Sequence, residues 1–166
     1  PANYPMGIQI GSPNTSLGFH GVSEHGLAMN LTGQDSDNFY SVLSGLSGEY
    51  PTDFPDSHYG TELQYIVDTD ASSNIYAQAI SSSFNNGSNF SGSNYPDTDL
   101  ADQLKTVARL MRGGINTKIY LVRLGGFDTH ANQVQGAGDL QGRHYDLLDE
   151  LSTAVEAFMR DLNSDS

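Results

Sequence analysis

Asp128 and His130 are the side chains whose types and spacing best suit chemistry, because they directly follow the paired glycines of Gly125-Gly-Phe-Asp-Thr-His130. A carboxylate and a neutral imidazole are both good zinc ligands, and water or a substrate oxygen completes such a site. If the segment is extended, both side chains project from the same side. The sequence therefore predicts that Asp128 and His130 bind a divalent metal: zinc, manganese, or calcium if oxygen ligands dominate. Capping of the loop's own backbone is the alternative.

A short apolar segment places these two residues. Residues 118–125 contain a nearly continuous run of strand-favouring side chains, which ends at the two glycines. A run that is apolar on both faces favours a strand in the interior of a parallel sheet, with helices covering either side. Open α/β sheets bind ligands at the carboxyl ends of their strands. The sequence therefore predicts a site at this edge of an α/β fold.

Two amphipathic helices are predicted on either side of this strand, over residues 98–112 and 140–162. The apolar stripe of the first comprises Leu100, Leu104, Val107, Ala108 and Met111. The stripe of the second comprises Leu148, Leu151, Val155, Phe158 and Leu162. His144 lies four residues before Leu148, so it opens the second stripe at the same edge of the sheet. It is a third candidate metal ligand, and a hydrogen-bonded core histidine is the alternative.

The chain is predicted to form a single, partial domain with two regions. Residues 1–94 form a loop-rich region, with a strand at residues 6–10 and a helix over residues 58–84 whose apolar side chains recur every four residues. Residues 95–166 form the helix-strand-helix core that carries the candidate site.

Composition restricts the classes of partner. The 166 residues carry a net charge of −13 at pH 7, which repels nucleic acid and anionic membranes. The chain has no cysteine, which excludes disulfides and thiolate metal sites. No apolar run approaches the length of a transmembrane helix, so no membrane insertion is expected. The apolar fraction, 37%, is low for an independent globular unit.

Five segments of the second region resemble the DUF1501 family. They are Tyr95-Pro-Asp-Thr-Asp-Leu100, Gln103-Leu-Lys-Thr-Val-Ala-Arg-Leu110, Thr117-Lys-Ile-Tyr-Leu-Val122, Leu124-Gly-Gly-Phe-Asp-Thr-His-Ala-Asn-Gln133 and Leu147-Leu-Asp-Glu-Leu-Ser152. This resemblance implies an alkaline-phosphatase-like or sulfatase-like α/β sandwich and a bacterial protein exported to the periplasm or beyond. It also implies metal-assisted hydrolysis of phosphate or sulfate esters. Asn132 and Gln133 follow the signature and are candidates for substrate binding, with loop capping as the alternative.

The chain departs from the family in two places. Members carry a Gly-Gly-Asn-Asp-Gly-like motif near the N-terminus, and Phe-Gly-Arg and Asp-His-Gly segments further on; none of these occurs here. No nucleophile is identified. We therefore expect an internal part of a larger protein, inactive alone, whose remaining polypeptide is its main partner. Two hypotheses stay open: part of a metal-dependent hydrolase, or a binding or structural protein that keeps the fold without the chemistry.

Overall fold

The computed structural model describes residues 3–11, 51–130, 133–134 and 142–164, which form a mixed α/β arrangement that is mostly helical. Its elements in chain order are strand β1 (Gly7–Gln9), helix α1 (His58–Asn86), a short 3₁₀ helix (Ser91–Ser93), helix α2 (Asp99–Arg112), strand β2 (Ile119–Leu121) and helix α3 (Arg143–Asn163). The predicted order of helix, strand and helix after residue 95 is confirmed.

Helix α2 begins and ends where its sequence predicts. The hydroxyl of Thr98 accepts a hydrogen bond from the backbone N–H of Ala101 at 3.3 Å, which satisfies one of the free donors of the first turn. Asp99 lies in that turn and Arg112 in the last one, so each charge opposes the helix dipole. Gly113 follows as the C-cap and donates to the carbonyl of Arg109.

The sheet of the described residues has two parallel strands, and Ile8 of β1 lies opposite Tyr120 of β2. The face that carries Ile8 and Tyr120 packs against the helices. On the other face, Ile119 and Leu121 are 52% and 39% exposed. The prediction that β2 is an interior strand covered on both sides is therefore wrong for the described part of the chain. The helices there all cover the same face, so the outward-pointing side chains of β2 remain in solvent.

Strand β2 is also shorter than the predicted strand at residues 118–125, because a side chain takes the place of its partner strand. The buried carboxamide of Gln103 donates to the carbonyl of Arg123 at 3.0 Å and accepts from the Arg123 N–H at 2.8 Å. Strand β1 ends at Gln9, and Gly11, two residues further on, has a φ of +108°, which favours glycine. A Cβ at Gly11 would also lie only 3.0 Å from Gln103 Oε1. The ladder therefore stops at Leu121, and Gln103 holds the chain that follows.

Helix α2 lies between the other two helices, and two apolar clusters join these elements to the sheet. The buried residues of the first cluster are Ile8, Ile10, Ala77, Ile80, Val107 and Leu110. Those of the second are Leu100, Ala101, Leu104 and Ala154. Phe158 of α3 and Val122 pack against both clusters. The predicted stripe of α2 is therefore largely confirmed, whereas its last member, Met111, is exposed.

The predicted buried stripe of α3 is wrong for most of its members. The residues that α3 buries are Leu147, Ala154, Ala157 and Asp161, and the predicted Leu148, Leu151 and Val155 are exposed. The small alanines let the α3 backbone approach α2 closely. Because apolar side chains cover more than half of the helix circumference, their period alone does not identify the packed face.

The predicted stripe of α1, whose apolar side chains recur every four residues, is mostly not buried. Tyr59, Ile66 and Ile75 are exposed, and the buried apolar residues are Ile80, which flanks the stripe, and Ala77, which lies outside it. The helix has 29 residues and its neighbour α2 has 14. At about 1.5 Å per residue, α1 is much longer than the helix it packs against, so its N-terminal half extends past the core.

A buried carboxylate fastens the loop between α1 and α2 to α3. Asp161 is fully buried and forms an ion pair with Arg112, whose Nε lies 3.1 Å from Asp161 Oδ1. The same carboxylate accepts hydrogen bonds from the Asn89 side chain at 2.7 Å, the Phe90 N–H at 2.9 Å and the Tyr95 hydroxyl at 3.0 Å. Its oxygens therefore have polar partners from the loop and from α2.

Candidate functional site

The loop that follows β2 brings Asp128 and His130 together. Asp128 Oδ1 lies 3.1 Å from His130 Nε2, and both side chains are 83% exposed. The carboxylate and the imidazole are therefore in contact, whereas the sequence predicted that both would project from the same side of an extended segment. Both groups are open to solvent and to any ligand that approaches the loop.

The backbone that produces this contact is a turn and not the extended segment that was predicted. The N–H of Thr129 donates to the carbonyl of Phe127 at 3.0 Å, and His130 has a φ of +43°. This left-handed conformation is unfavourable for a residue with a Cβ, by roughly 1–2 kcal/mol. The chain folds back on itself, so the imidazole reaches the carboxylate two residues earlier.

The backbone at Gly126 of the signature favours glycine. Its φ is +92°, and a Cβ at this position would lie 2.8 Å from Nη2 of Arg143. Gly125, in contrast, faces open space. The contact places the Arg143 guanidinium against the loop that carries Asp128. Sequence reasoning missed Arg143, and the only signal for it was its position at the start of α3, next to His144.

His144 lies beside the loop, as its place in the first turn of α3 predicted. Its ring meets the ring of Phe127 edge-on, with 6.4 Å between the centroids. Its backbone N–H donates to the carbonyl of Gln133 at 3.3 Å. In the described ranges, however, no three His, Asp or Glu side chains are grouped closely enough to hold a metal ion. A metal-ligand role for His144 stays a prediction, and its observed contacts are an aromatic ring and a carbonyl.

The two candidate substrate-binding residues have different outcomes. Gln133 is exposed, and its carbonyl accepts the hydrogen bond from the first turn of α3, so its backbone caps the helix. Its side chain stays a predicted substrate contact. Asn132 lies outside the described residues.

Asp128 and His130 together offer two donor atoms of kinds that bind divalent metals. A carboxylate oxygen and an imidazole nitrogen are hard and borderline donors of the kind that zinc and manganese accept. With two protein ligands, water or substrate must supply the rest of the shell, so the metal is expected to bind weakly. Without a metal, the Asp128 carboxylate orients the His130 imidazole. An imidazole oriented in this way can act as a general base.

The chain matches no protein-family model, no curated protein and no solved structure. The resemblance to the DUF1501 family therefore rests on the quoted motifs. Within the described residues, no helix is both long enough and apolar enough to cross a membrane.

Proposed function

We propose that this chain contributes Asp128 and His130 to a divalent-metal site in an exported, hydrolase-like protein related to the DUF1501 family. The proposed reaction is the hydrolysis of a phosphate or sulfate ester, and the proposed location is the periplasm or the cell exterior. One observation carries the proposal: the contact of 3.1 Å between Asp128 Oδ1 and His130 Nε2, on the loop that follows a parallel strand.

The backbone of the loop supports a functional role for this pair. His130 is held in a left-handed conformation that costs free energy, and Gly126 has a φ of +92°, which favours glycine, with the end of the Arg143 side chain beside it. Strained backbone in an exposed loop is typical of ligand sites, where the surrounding structure maintains a geometry that the local sequence disfavours.

Charge supports a metal in particular. The chain carries a net charge of −13, which repels an anionic phosphate or sulfate ester. A substrate of this class therefore requires concentrated positive charge at the site. Asp128 and His130 would hold a divalent cation, which would supply that charge and polarise the ester oxygen. The guanidinium of Arg143, beside Gly126, adds a second cation next to the loop.

A binding or structural protein without catalysis is the second candidate. The observation that favours it is the exposure of the pair: both side chains are 83% in solvent, whereas catalytic sites exclude water around the reacting atoms. In this alternative, the loop binds a metal or an anion and no bond is broken.

Zinc titration of wild type and of Asp128→Asn tests the metal site. We expect wild type to bind zinc weakly and the variant to bind it about tenfold or more weakly, because the amide keeps the shape of the side chain but loses its charge. Isothermal titration calorimetry measures the affinity, and elemental analysis after dialysis measures the bound metal. Asp97→Asn, an exposed aspartate outside the loop, is the matched control. Equal affinity in wild type and Asp128→Asn would contradict the ligand role.

Hydrolysis assays separate the two candidate functions. Zinc- or manganese-loaded protein is incubated with p-nitrophenyl phosphate and with p-nitrophenyl sulfate. Release of nitrophenol that Asp128→Asn abolishes supports the hydrolase. Metal binding without any release, in the full natural protein, favours the binding or structural candidate.

A further inference from the structure

Arg143 presents a free guanidinium beside the candidate site. Three other arginines of the chain already have acceptors: Arg109 at the end of α1, Arg112 on Asp161, and Arg160 on Glu156. Arg143 is exposed, and within the described ranges its guanidinium makes no hydrogen bond or ion pair. Its N–H groups are therefore available to an anionic ligand.

Contacts between α3 and the loop place this guanidinium. The ring of Phe127 meets the ring of His144 edge-on, and the carbonyl of Gln133 accepts a hydrogen bond from the His144 N–H at 3.3 Å. The guanidinium itself lies against the backbone of Gly126, where a Cβ would be 2.8 Å from Nη2 of Arg143. The first turn of α3 is therefore held against the loop, with the charged end of Arg143 beside it.

The guanidinium of Arg143 lies within reach of Asp128 and His130. Gly126 and Asp128 are two residues apart, so their Cα atoms are separated by at most about 7 Å. A phosphoryl group carries several oxygens. Two of them can accept from the guanidinium while another faces the Asp128 and His130 pair. One anionic group can therefore contact both parts of the site.

The chemistry of a guanidinium favours a doubly charged ligand. Its two parallel N–H groups match two oxygens of a phosphate or sulfate group. A phosphate monoester carries almost two negative charges above about pH 7, whereas a sulfate ester carries one. At about 0.15 M salt, charges more than about 8 Å away are largely screened, so the nearby guanidinium outweighs the dispersed acidic residues. The second charge of the ligand then raises its affinity about fivefold.

We propose that Arg143 binds the anionic group of the substrate, and that the substrate class is a phosphate monoester in its dianionic form rather than a sulfate ester. This inference rests on the proposed function and names the substrate class of that same site. Arg143 donates two hydrogen bonds to oxygens of the phosphate. It is therefore the residue that determines specificity for the charge of the ester.

Titration of the metal-free chain with phenyl phosphate and with phenyl sulfate tests this inference. Both titrations are run at about pH 8, where the phosphate is a dianion, and at constant ionic strength. Heteronuclear NMR follows the side-chain Nε–H signal of Arg143, which is assigned from its absence in the Arg143→Gln variant. We expect phenyl phosphate to shift this signal and to bind about fivefold or more tightly than phenyl sulfate.

Two substitutions separate the charge of Arg143 from its geometry. Arg143→Gln should weaken the binding of phenyl phosphate about tenfold and remove the preference for it, because the variant lacks the charge. Arg143→Lys should weaken binding about threefold and keep the preference, because the charge remains and the two parallel donors are lost. Arg160→Gln, at an exposed arginine of the same helix, is the matched control and should leave both affinities unchanged. Circular dichroism verifies that each variant keeps its helices.

Asp128→Asn distinguishes a failure of this inference from a failure of the proposed metal site. Without metal, Asp128→Asn should bind phenyl phosphate at least as tightly as wild type, because it removes a negative charge from the loop. Arg143→Gln should bind zinc at least as tightly as wild type, because it removes a positive charge. Equal zinc affinity in wild type and Asp128→Asn contradicts the metal site alone.

Three results overturn the assignment of Arg143 and of the substrate class. They are an unchanged Nε–H signal of Arg143 in both titrations, equal affinity of wild type for the two esters, and equal binding of phenyl phosphate by wild type and Arg143→Gln. None of these measurements requires a bound metal.

Discussion

At the scale of single residues, two ion pairs on α3 have the same chemistry and very different surroundings. Asp161 is fully buried, pairs with Arg112 and accepts three further hydrogen bonds. Glu156 pairs with Arg160 in solvent, where both side chains are more than half exposed. Water already solvates an exposed pair, whereas a buried charge that loses its partner has no alternative.

Alanine substitutions should therefore separate the two pairs. Asp161→Ala is expected to lower the free energy of unfolding by about 3–5 kcal/mol, because it removes the buried charge that pairs with Arg112 and the acceptor of three further hydrogen bonds. Nη2 of Arg112 keeps its hydrogen bonds to the backbone carbonyls of residue 161 and Ser164. Glu156→Ala, on the same helix, should lower it by less than about 1 kcal/mol. Urea denaturation followed by circular dichroism measures both. Similar losses in the two variants would mean that Asp161 contributes no more than a surface charge.

At the scale of elements, Gln103 connects α2 to the chain that leaves the sheet. Its carboxamide makes two hydrogen bonds with the backbone of Arg123 and a third with the carbonyl of Asp99 at 3.1 Å. This side chain occupies the position beside Arg123 that a longer β1 would fill. It therefore determines where β2 ends and where the loop of Asp128 begins.

Gln103→Leu should destabilise the protein by about 2 kcal/mol, because it leaves the N–H and C=O of Arg123 without partners in a partly buried position. The amide proton of Arg123 should also exchange faster with solvent, which NMR measures at that residue. Gln64→Leu, on an exposed part of α1, is the control and should change neither quantity. An unchanged exchange rate at Arg123 in Gln103→Leu would contradict the role given to this amide.

At the scale of the whole molecule, two tyrosines make the free energy of unfolding depend on pH in the alkaline range. Burial raises the pKa of Tyr95 above its ordinary value of 10.0, and the hydrogen bond to Asp161 and the negative charge of that carboxylate raise it further. Burial also raises the pKa of Tyr120. Since the folded protein holds these protons more tightly than the unfolded chain, their contribution to stability is complete below the unfolded pKa. It is lost as the pH rises toward the folded pKa.

The free energy of unfolding is therefore expected to fall with pH above about 10. Tyr95→Phe should make this decrease shallower, because the variant lacks one of the two tyrosine hydroxyls whose pKa is raised by folding. Urea denaturation across the alkaline range measures the slope, and Tyr59→Phe, at an exposed tyrosine, is the control. A slope that Tyr95→Phe leaves unchanged would show that the unfolding transition does not involve this hydroxyl.

The sequence by itself determined the local features of this protein. The helices of the second region were predicted from apolar periodicity, including the bounds of α2 at residues 98–112, because this signal acts within a few turns of the chain. The sequence also predicted that Asp128 and His130 project from the same side of an extended segment. A turn at Thr129 instead brings the two side chains into contact.

The tertiary structure decided which surfaces are covered. The sequence could not show that Asp161 pairs with Arg112, that Arg143 lies against Gly126, or that Gln103 replaces a strand. It also did not identify which of the apolar faces of α3 packs against α2. Each of these depends on contacts between residues far apart in the chain, whose free energy is set by the fit of whole elements. The spacing of apolar residues in a helix shows that one face is apolar. Only packing determines whether another element covers that face.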